Sequence, residues 1–330
     1  MQLQGSLLKI TGKYVFSVVI PTYNRPEVLV KTLRCLEQQE TDIPSEVIVV
    51  DDGSTLPIPE LGLGQGKRLA WKLLRNEKNL GRAATRNRGI REASGEYILM
   101  IDDDISASIG LLQAHYDAQT RIGGGVVIGA VPPAPQVRNT VWHRYLGMRY
   151  DRIHRRLEGN ELDYGLFLTA NVSVPLRVLK GVGMFDEGFS SYSLEDTELG
   201  YRLSRASVEF SHAPEAVGHH VYEENLASLC KKSAEAGTSA FLFSKLHPEQ
   251  SRAVQYHSIT LGPWNGLEII KNVAKIILFN GLTMRMLVLL AKFGEGMSLD
   301  ALVFSLLPWI ELAYRSSGAR EGRRAAAVKR

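Results

Sequence analysis

The chain is poor in cysteine: Cys35 and Cys230 are its only two, far apart and in no paired spacing. That argues against a thiol redox pair and a cysteine-built zinc site, and it makes a reducing compartment the simpler setting. Long apolar runs are also missing. No window of 18 apolar residues occurs, because Lys271, Asn272, Lys275, Asn280 and Arg285 interrupt the longest apolar region, so a spanning helix is not expected. The sequence does not open on a cationic start, an apolar stretch and a cleavage site, and the expected location is cytoplasmic, at most at the inner face of the membrane. Excess charge is small, at net +4, and much of it lies between Arg315 and Arg330, which argues against a nucleic-acid partner. That basic end reads as a solvated, frayed tail, with attraction to an anionic membrane as the sharper alternative. A dinucleotide fingerprint is absent as well: Gly62, Gly64 and Gly66, within residues 55–68, neither follow a strand nor open a helix.

What is present is a run of strand formers, Gly95-Glu96-Tyr97-Ile98-Leu99-Met100-Ile101, that stops at three consecutive carboxylates, Asp102, Asp103 and Asp104. Bunched acids at the end of a buried strand repel one another and resist desolvation, so they call for a cation or a set of donors. A divalent metal is the sharp reading; an acidic turn that caps the next helix is the plain one.

The preceding residues give these acids a setting. Tyr14 to Ile20 is almost continuously apolar, the pattern of a strand buried on both faces and ended by Pro21. Pro26 suits a first helical turn, and Leu29, Leu33 and Leu36 follow at helical spacing. Glu46 to Val50 reads as a second strand that runs into Asp51-Asp52-Gly53-Ser54, and Leu69 to Leu74 as a third. A helix from Arg82 to about Ala93 carries Arg82, Arg86, Arg88 and Arg91, which cannot all point one way. Strands alternating with helices imply a parallel sheet, and in such sheets ligands bind outside the carboxyl ends of the strands. Residues 21–25, 51–54 and 102–104 all fall there. Acids and arginines in one crevice suit a diphosphate held partly by Mg²⁺ or Mn²⁺.

Further along, the pattern predicts a helix over Ile109 to Thr120, a strand over Gly125 to Val131 and a break at Pro132, Pro133 and Pro135. Residues 136–163, with Trp142, Tyr145 and Tyr150, have no clean period and read as a loop with helical turns. Phe167 to Val174 reads as a strand, and a turn-rich approach leads to a helix from about Leu194 to Ser204. Glu195 and Asp196 stand near its start. The helix dipole alone favours acids there, but one of them facing the crevice could take a proton from an attacking hydroxyl.

Several motifs resemble those of family 2 glycosyltransferases of the GT-A fold. They are S-V-V-I-P-T-Y-N-R-P at 17–26, V-D-D-G-S at 50–54, N-L-G-R-A-A-T-R-N-R-G-I at 79–90, the cluster at 102–104, T-A-N-V-S-V-P at 169–175, and G-M-F-D-E-G-F with L-E-D-T-E-L-G-Y-R-L within 183–203. The resemblance covers roughly Phe16 to Tyr222. It implies an α/β fold with a mainly parallel central sheet flanked by helices, and an enzyme that moves a sugar from a nucleotide-diphosphate sugar of UDP, GDP or dTDP type to an acceptor hydroxyl. Inversion at the anomeric carbon and a Mn²⁺ or Mg²⁺ requirement come with it. By the same resemblance Pro21, Thr22 and Tyr23 border the base, Asp52 contacts base or ribose, and Arg25, Gly81, Arg82 and Arg86 approach the nucleotide. Asp102-x-Asp104 matches the D-x-D signature, with Asp104 on the metal and Asp102 or Asp103 on ribose or a metal-bound water. Asp196, in the Glu195-Asp196 pair, matches the catalytic base, and His219 or His220 is a candidate to complete the metal or diphosphate site.

The expected division is a catalytic domain over 1–225, with a nucleotide half at about 13–105 and an acceptor half at 106–225, then a helical region over 226–330. Helices are expected at Leu226 to Leu246, Leu267 to Phe279, Thr283 to Phe293 and Leu302 to Tyr314, the last with Pro308 inside. They pack on the catalytic domain or on a second copy in a homodimer, or else dip into a membrane interface that would suit a lipid-linked acceptor. Polysaccharide, lipopolysaccharide or glycolipid assembly is the family-level expectation, with a glycan or lipid-linked acceptor. The rival classes are a nucleotidyltransferase, which should carry a Gly-rich basic loop after the first strand, and a non-catalytic sugar-nucleotide-binding protein.

Overall fold

The computed structural model describes residues 13–56, 58, 69–134, 140–159, 162–221, 224–261 and 265–328. The loop glycines 62, 64 and 66, together with Pro135, Lys329 and Arg330, lie outside them.

Three β-rich runs form the first parallel strands: β1 (Tyr14–Thr22), β2 (Ser45–Asp51) and β3 (Leu69–Arg75). Between β1 and β2 runs α1 (Pro26–Glu37), and after β3 comes α2 (Arg82–Glu92). The fourth parallel strand, β4 (Gly95–Ile101), pairs with β1. Pro21 does not end β1. Pairing towards β4 stops at Val19 with Met100, whereas pairing towards β2 continues to Thr22 with Asp51, so the proline falls where the strand has a neighbour on one side only.

The sheet then turns mixed. The chain continues through β5 (Ile105–Ala107), α3 (Leu111–Ile122), β6 (Val126–Ala130), α4 (Val141–Glu158), β7 (Asn171–Pro175), α5 (Leu176–Gly181), α6 (Glu195–Arg205) and β8 (Phe210–His220). Spatial order is β3-β2-β1-β4-β7-β6-β8-β5. β7 is antiparallel to both β4 and β6, β8 is parallel to β6, and β5 is antiparallel to β8. Alternation along each strand feeds two cores. Val19, Ile48, Val50, Ile98 and Met100 meet α2, α5 and α6 on one face, while Val18, Ile20, Val47, Val49 and Leu99 meet α1 and α3 on the other.

The chain divides into two units, Met1–Val137 with Tyr150–Ser190 and Asp196–Tyr222, and Arg138–Arg149 with Ser191–Glu195 and Glu223–Arg330. The second is helical: α7 (Leu226–Leu246), α8 (Tyr256–Ile259), α9 (Gly266–Leu278), α10 (Gly281–Gly296) and α11 (Asp300–Val328). Two expectations are corrected. Residues 141–158 are one helix rather than a loop, and the lack of a clean period has a cause: Val141, Trp142 and Tyr145 belong to the second unit's core, whereas Ile153 and Leu157 belong to the first's. The basic end is no frayed tail up to Val328, because Ala313, Ser316, Ala319 and Gly322 give α11 a buried face of small residues. There Thr238 of α7 donates to the Gly318 carbonyl at 3.1 Å.

Candidate active site

Four strand ends assemble the site within the first unit. The three aspartates after β4 point to three different sets of partners. Asp102 receives a hydrogen bond from Nη2 of the fully buried Arg86 at 2.8 Å, and its own side chain is 26% exposed, the most open of the trio. Asp103 accepts from Thr22 Oγ1 (2.7 Å) and Arg25 Nη1 (2.7 Å), and its carbonyl accepts from Thr32 Oγ1 (2.7 Å). Asp104 Oδ2 accepts from Arg25 Nη1 (2.9 Å), and Oδ1 lies 3.2 Å from His220 Nε2.

Burial and the like charge of Asp104 push Asp103 up to about 6, against the pull of Arg25 and Thr22. Burial works in the same direction on Asp104, but His220 and Arg25 overcome it and hold that carboxyl well below the usual range. Burial likewise works against the Arg25 charge, and the two carboxylates outweigh it and raise its pKa.

The histidine pair splits. β8 runs antiparallel to β5 with His220 opposite Ile105 and His219 opposite Ser106, and successive strand residues face opposite sides. Hence His220 faces Asp104. Its Nδ1 is hydrogen-bonded to the Tyr150 hydroxyl, which can donate or accept and so supports either imidazole tautomer. Sequence reasoning named Tyr150 only as an aromatic in an irregular segment; the packing of α4 that brings it to His220 has no local signal.

Asp52 is occupied by the turn that starts α2. Oδ1 accepts from Asn76 Nδ2 (2.8 Å) and Leu80 N (2.9 Å), and Oδ2 from Gly81 N (3.0 Å). Gly81 has φ +87°, and a Cβ there would lie 2.7 Å from the Ser190 carbonyl, so both backbone and space require glycine. Beside it Asp51 accepts from Ser54 N (2.9 Å) and Arg75 Nη1 (3.0 Å). Pro21 sits in β1, Tyr23 is exposed, and Arg82 is exposed at the first position of α2. Of the other α2 arginines, Arg88 donates to the Arg75 carbonyl and Asn76, and Arg91 to Glu187. Only Arg86 reaches the aspartate cluster among the α2 arginines whose contacts are described.

Asp196 stands half-buried in the first turn of α6, its Oδ1 accepting from Thr197 N (2.6 Å), and Glu195 is buried. Ser193 and Leu194 just before them have φ +77° and +69°, a left-handed pair that L side chains rarely adopt and that costs roughly 1–3 kcal/mol per residue. Further along α6, Glu198 pairs with Arg202 at 2.7 Å, and Arg202 also donates to the Val182 and Met184 carbonyls. That arginine anchors the 182–184 turn.

Among the described residues, no three His, Cys, Asp or Glu side chains converge to hold an ion alone. The donor set still fits Mn²⁺ or Mg²⁺. Asp104 Oδ1 is a buried carboxylate oxygen with no aligned donor beyond the His220 ring nitrogen at 3.2 Å, and such ions use one or two carboxylates and complete their shell with phosphate oxygens and water.

Known proteins resemble this chain as follows. Residues 17–173 match the family described as Glycosyl transferase family 2. Validoxylamine A glucosyltransferase of Streptomyces hygroscopicus subsp. jinggangensis (strain 5008) is 31% identical over 247 residues, which is 65% of this chain and 58% of that protein. Chondroitin synthase of Escherichia coli is 29% identical over 239 residues, 62% of this chain and 34% of that one. The chain thus spans between a third and three fifths of these relatives. In structure, a mannosyltransferase from Pyrobaculum calidifontis, solved with GDP-Man and Mn²⁺, superposes with a TM-score of 0.61 at 16% identity, covering 93% of this chain and 88% of that one. That likeness establishes the fold.

Proposed function

We propose that the chain, whose residues 17–173 match glycosyl transferase family 2 and whose fold is GT-A, moves a sugar from a nucleotide-diphosphate sugar to an acceptor hydroxyl with inversion. One observation carries the reading. At the carboxyl end of the parallel strands, Asp104 has one oxygen on Arg25 and the other buried, facing the His220 ring nitrogen at 3.2 Å.

In this reading Asp104 and His220 hold Mn²⁺ or Mg²⁺, and Asp102, the most open of the three acids, takes ribose or a metal-bound water. The ion, when bound, neutralises charge that grows on the departing diphosphate. Arg86 fixes Asp102, and Thr22, Arg25 and Thr32 fix Asp103, so the cluster is held before the donor arrives. Asp52 acts by shaping the 79–81 turn that meets the nucleotide, with Pro21 and Tyr23 beside the base. Arg25 and Arg82 are the cations assigned to the diphosphate in this reading. Asp196 takes the proton from the acceptor hydroxyl; the acceptor oxygen bonds the anomeric carbon as the bond from that carbon to the diphosphate breaks. Buried Glu195 positions the helix start that presents Asp196. The donor is of UDP, GDP or dTDP type and the acceptor a glycan or a lipid-linked hydroxyl, with the C-terminal helices in peripheral contact with a membrane.

A thermal-shift panel of UDP-, GDP- and dTDP-sugars with Mn²⁺ and Mg²⁺ tests this. One donor class should stabilise the protein only with metal, and metal-dependent release of its nucleoside diphosphate should follow. Release of pyrophosphate instead would indicate nucleotidyl transfer, and binding without turnover a carrier; either overturns the proposal.

A further inference from the structure

The second unit exposes an apolar surface that its own fold leaves uncovered. On α9 the side chains of Ile269, Ile270, Val273, Ile276 and Ile277 are exposed, Ile270 by 66%. At 100° per residue they occupy one arc of about 120°. On α10 Leu282, Met286, Leu289, Leu290 and Phe293 are exposed and share an arc of about 100°. The opposite side of α10, at Ala291 and Gly294, is buried, with Ala291 in the core that also holds Val303 and Leu307 of α11. These faces are therefore outward by design of the packing. Scattered exposed apolar residues need no explanation, but contiguous stripes on successive helices mark an interaction site.

Charge indicates what covers them. Residues 269–294 contain four cations, Lys271, Lys275, Arg285 and Lys292, and no acid. Next to the α9 stripe lies a cavity of about 450 Å³ whose apolar wall includes Ile259, Leu261, Ile276 and Phe279 and whose charged residues, among the described ones, are Lys275, Arg320 and Arg323. Arg320 donates to Ser316 Oγ and the Phe279 carbonyl (both 2.9 Å) and Arg323 to the Tyr256 hydroxyl (3.1 Å), all neutral acceptors, and Lys275 reaches the same cavity wall through the Thr260 carbonyl (2.7 Å). Burial, then the like charge of Arg324, lowers the Arg320 pKa, a strain that an anion would relieve. Ile276 belongs to both the cavity and the exposed stripe, so the cationic pocket opens onto the apolar face.

We propose that α9 and α10 lie on an anionic phospholipid surface, with a lipid phosphate seated between Lys275, Arg320 and Arg323 and acyl chains against the two stripes. This deepens the peripheral contact proposed above and is independent of the transfer chemistry. A second copy of the chain fits less well, since a two-fold contact would set the same cations against one another. Among the described residues no single helix is long and apolar enough to cross a bilayer; α9 and α10 together reach the length but are bent by 56°.

Sedimentation of the full chain with vesicles of phosphatidylcholine, with and without phosphatidylglycerol, tests the proposal. Binding should require phosphatidylglycerol and weaken at high salt. Arg320→Gln with Arg323→Gln should weaken it on the order of tenfold or more. Ile270→Ser with Leu289→Ser, both at exposed positions, should abolish it while melting temperature and transfer to a soluble acceptor stay unchanged. Four results would overturn it: equal binding to neutral vesicles; no vesicle binding, even where inorganic phosphate alone raises the melting temperature; a dimer in sedimentation equilibrium that Ile270→Ser with Leu289→Ser dissociates; or membrane attachment that survives both salt and alkaline carbonate. Loss of transfer with vesicle binding intact would instead count against the catalytic reading alone.

Discussion

Arg25 Nη1 donates to Asp104 Oδ2 at 2.9 Å, so a protein cation already occupies one oxygen of the carboxylate proposed to hold the divalent ion. Charge-assisted hydrogen bonds of this kind are strong, and in the proposed function Arg25 and the ion would draw on the same carboxylate charge. Arg25→Gln should lower the Mn²⁺ concentration for half-maximal activity and raise the donor KM by about tenfold. A parallel rise in both constants would show that Arg25 supports the metal instead.

Asp104→Asn and Asp196→Asn should fail differently. The first removes an ion ligand, so turnover should fall by roughly a thousandfold and stabilisation by Mn²⁺ with donor should vanish. The second removes the proton acceptor, so kcat should fall by about 10²–10⁴-fold while donor binding in a thermal shift persists. Turnover retained in both variants would end the mechanism proposed above.

His115 sets an acid limit on stability. It is fully buried, and burial lowers its pKa from 6.5 to about 4. Asn171 Nδ2 donates to the Ala130 and Ala216 carbonyls, which leaves Oδ1 to accept from His115 Nε2 at 2.8 Å and makes Nδ1 the acceptor for Ser173 Oγ at 3.0 Å. The unfolded chain therefore takes up this proton first as pH falls. Stability is fully present above about 6.5 and is lost towards about 4, by on the order of 3 kcal/mol. Urea midpoints at pH near 7 and near 5 should show it, and His115→Gln should flatten this dependence while lowering stability overall. An unchanged slope in that variant would remove His115 as the cause.

Gly81→Ala should cost about 1–3 kcal/mol, since it strains φ +87° and drives a methyl against the Ser190 carbonyl. The turn held by Asp52 should shift with it, so the donor KM should rise more than kcat falls. Urea unfolding and steady-state kinetics measure the two effects separately; a normal KM in a destabilised variant would confine Gly81 to the fold.

Much of this was legible locally. Continuous apolar runs, a proline at a first helical turn and leucines at helical spacing mark β1, α1 and β2, because each follows from periodicity within a dozen residues. Acids at the ends of β2 and β4 were legible for the same reason, since a break from apolar to charged needs no knowledge of partners. What only the tertiary structure decided are the pairings across long stretches of chain. Asp102 goes to Arg86, Asp103 to Thr22 and Asp104 to His220, and the choice of His220 over His219 follows from the β5–β8 register. β8 itself escaped notice, because Phe210–His220 contains Pro214 and polar residues and its ladder with β6 is irregular after Gly129. Asn171, conspicuous within a motif, proves to be a buried knot that ties β7 to carbonyls of β6 and β8. A residue's type and local period determine whether it is buried; which group it meets there depends on strand order and register, and those are properties of the assembled sheet.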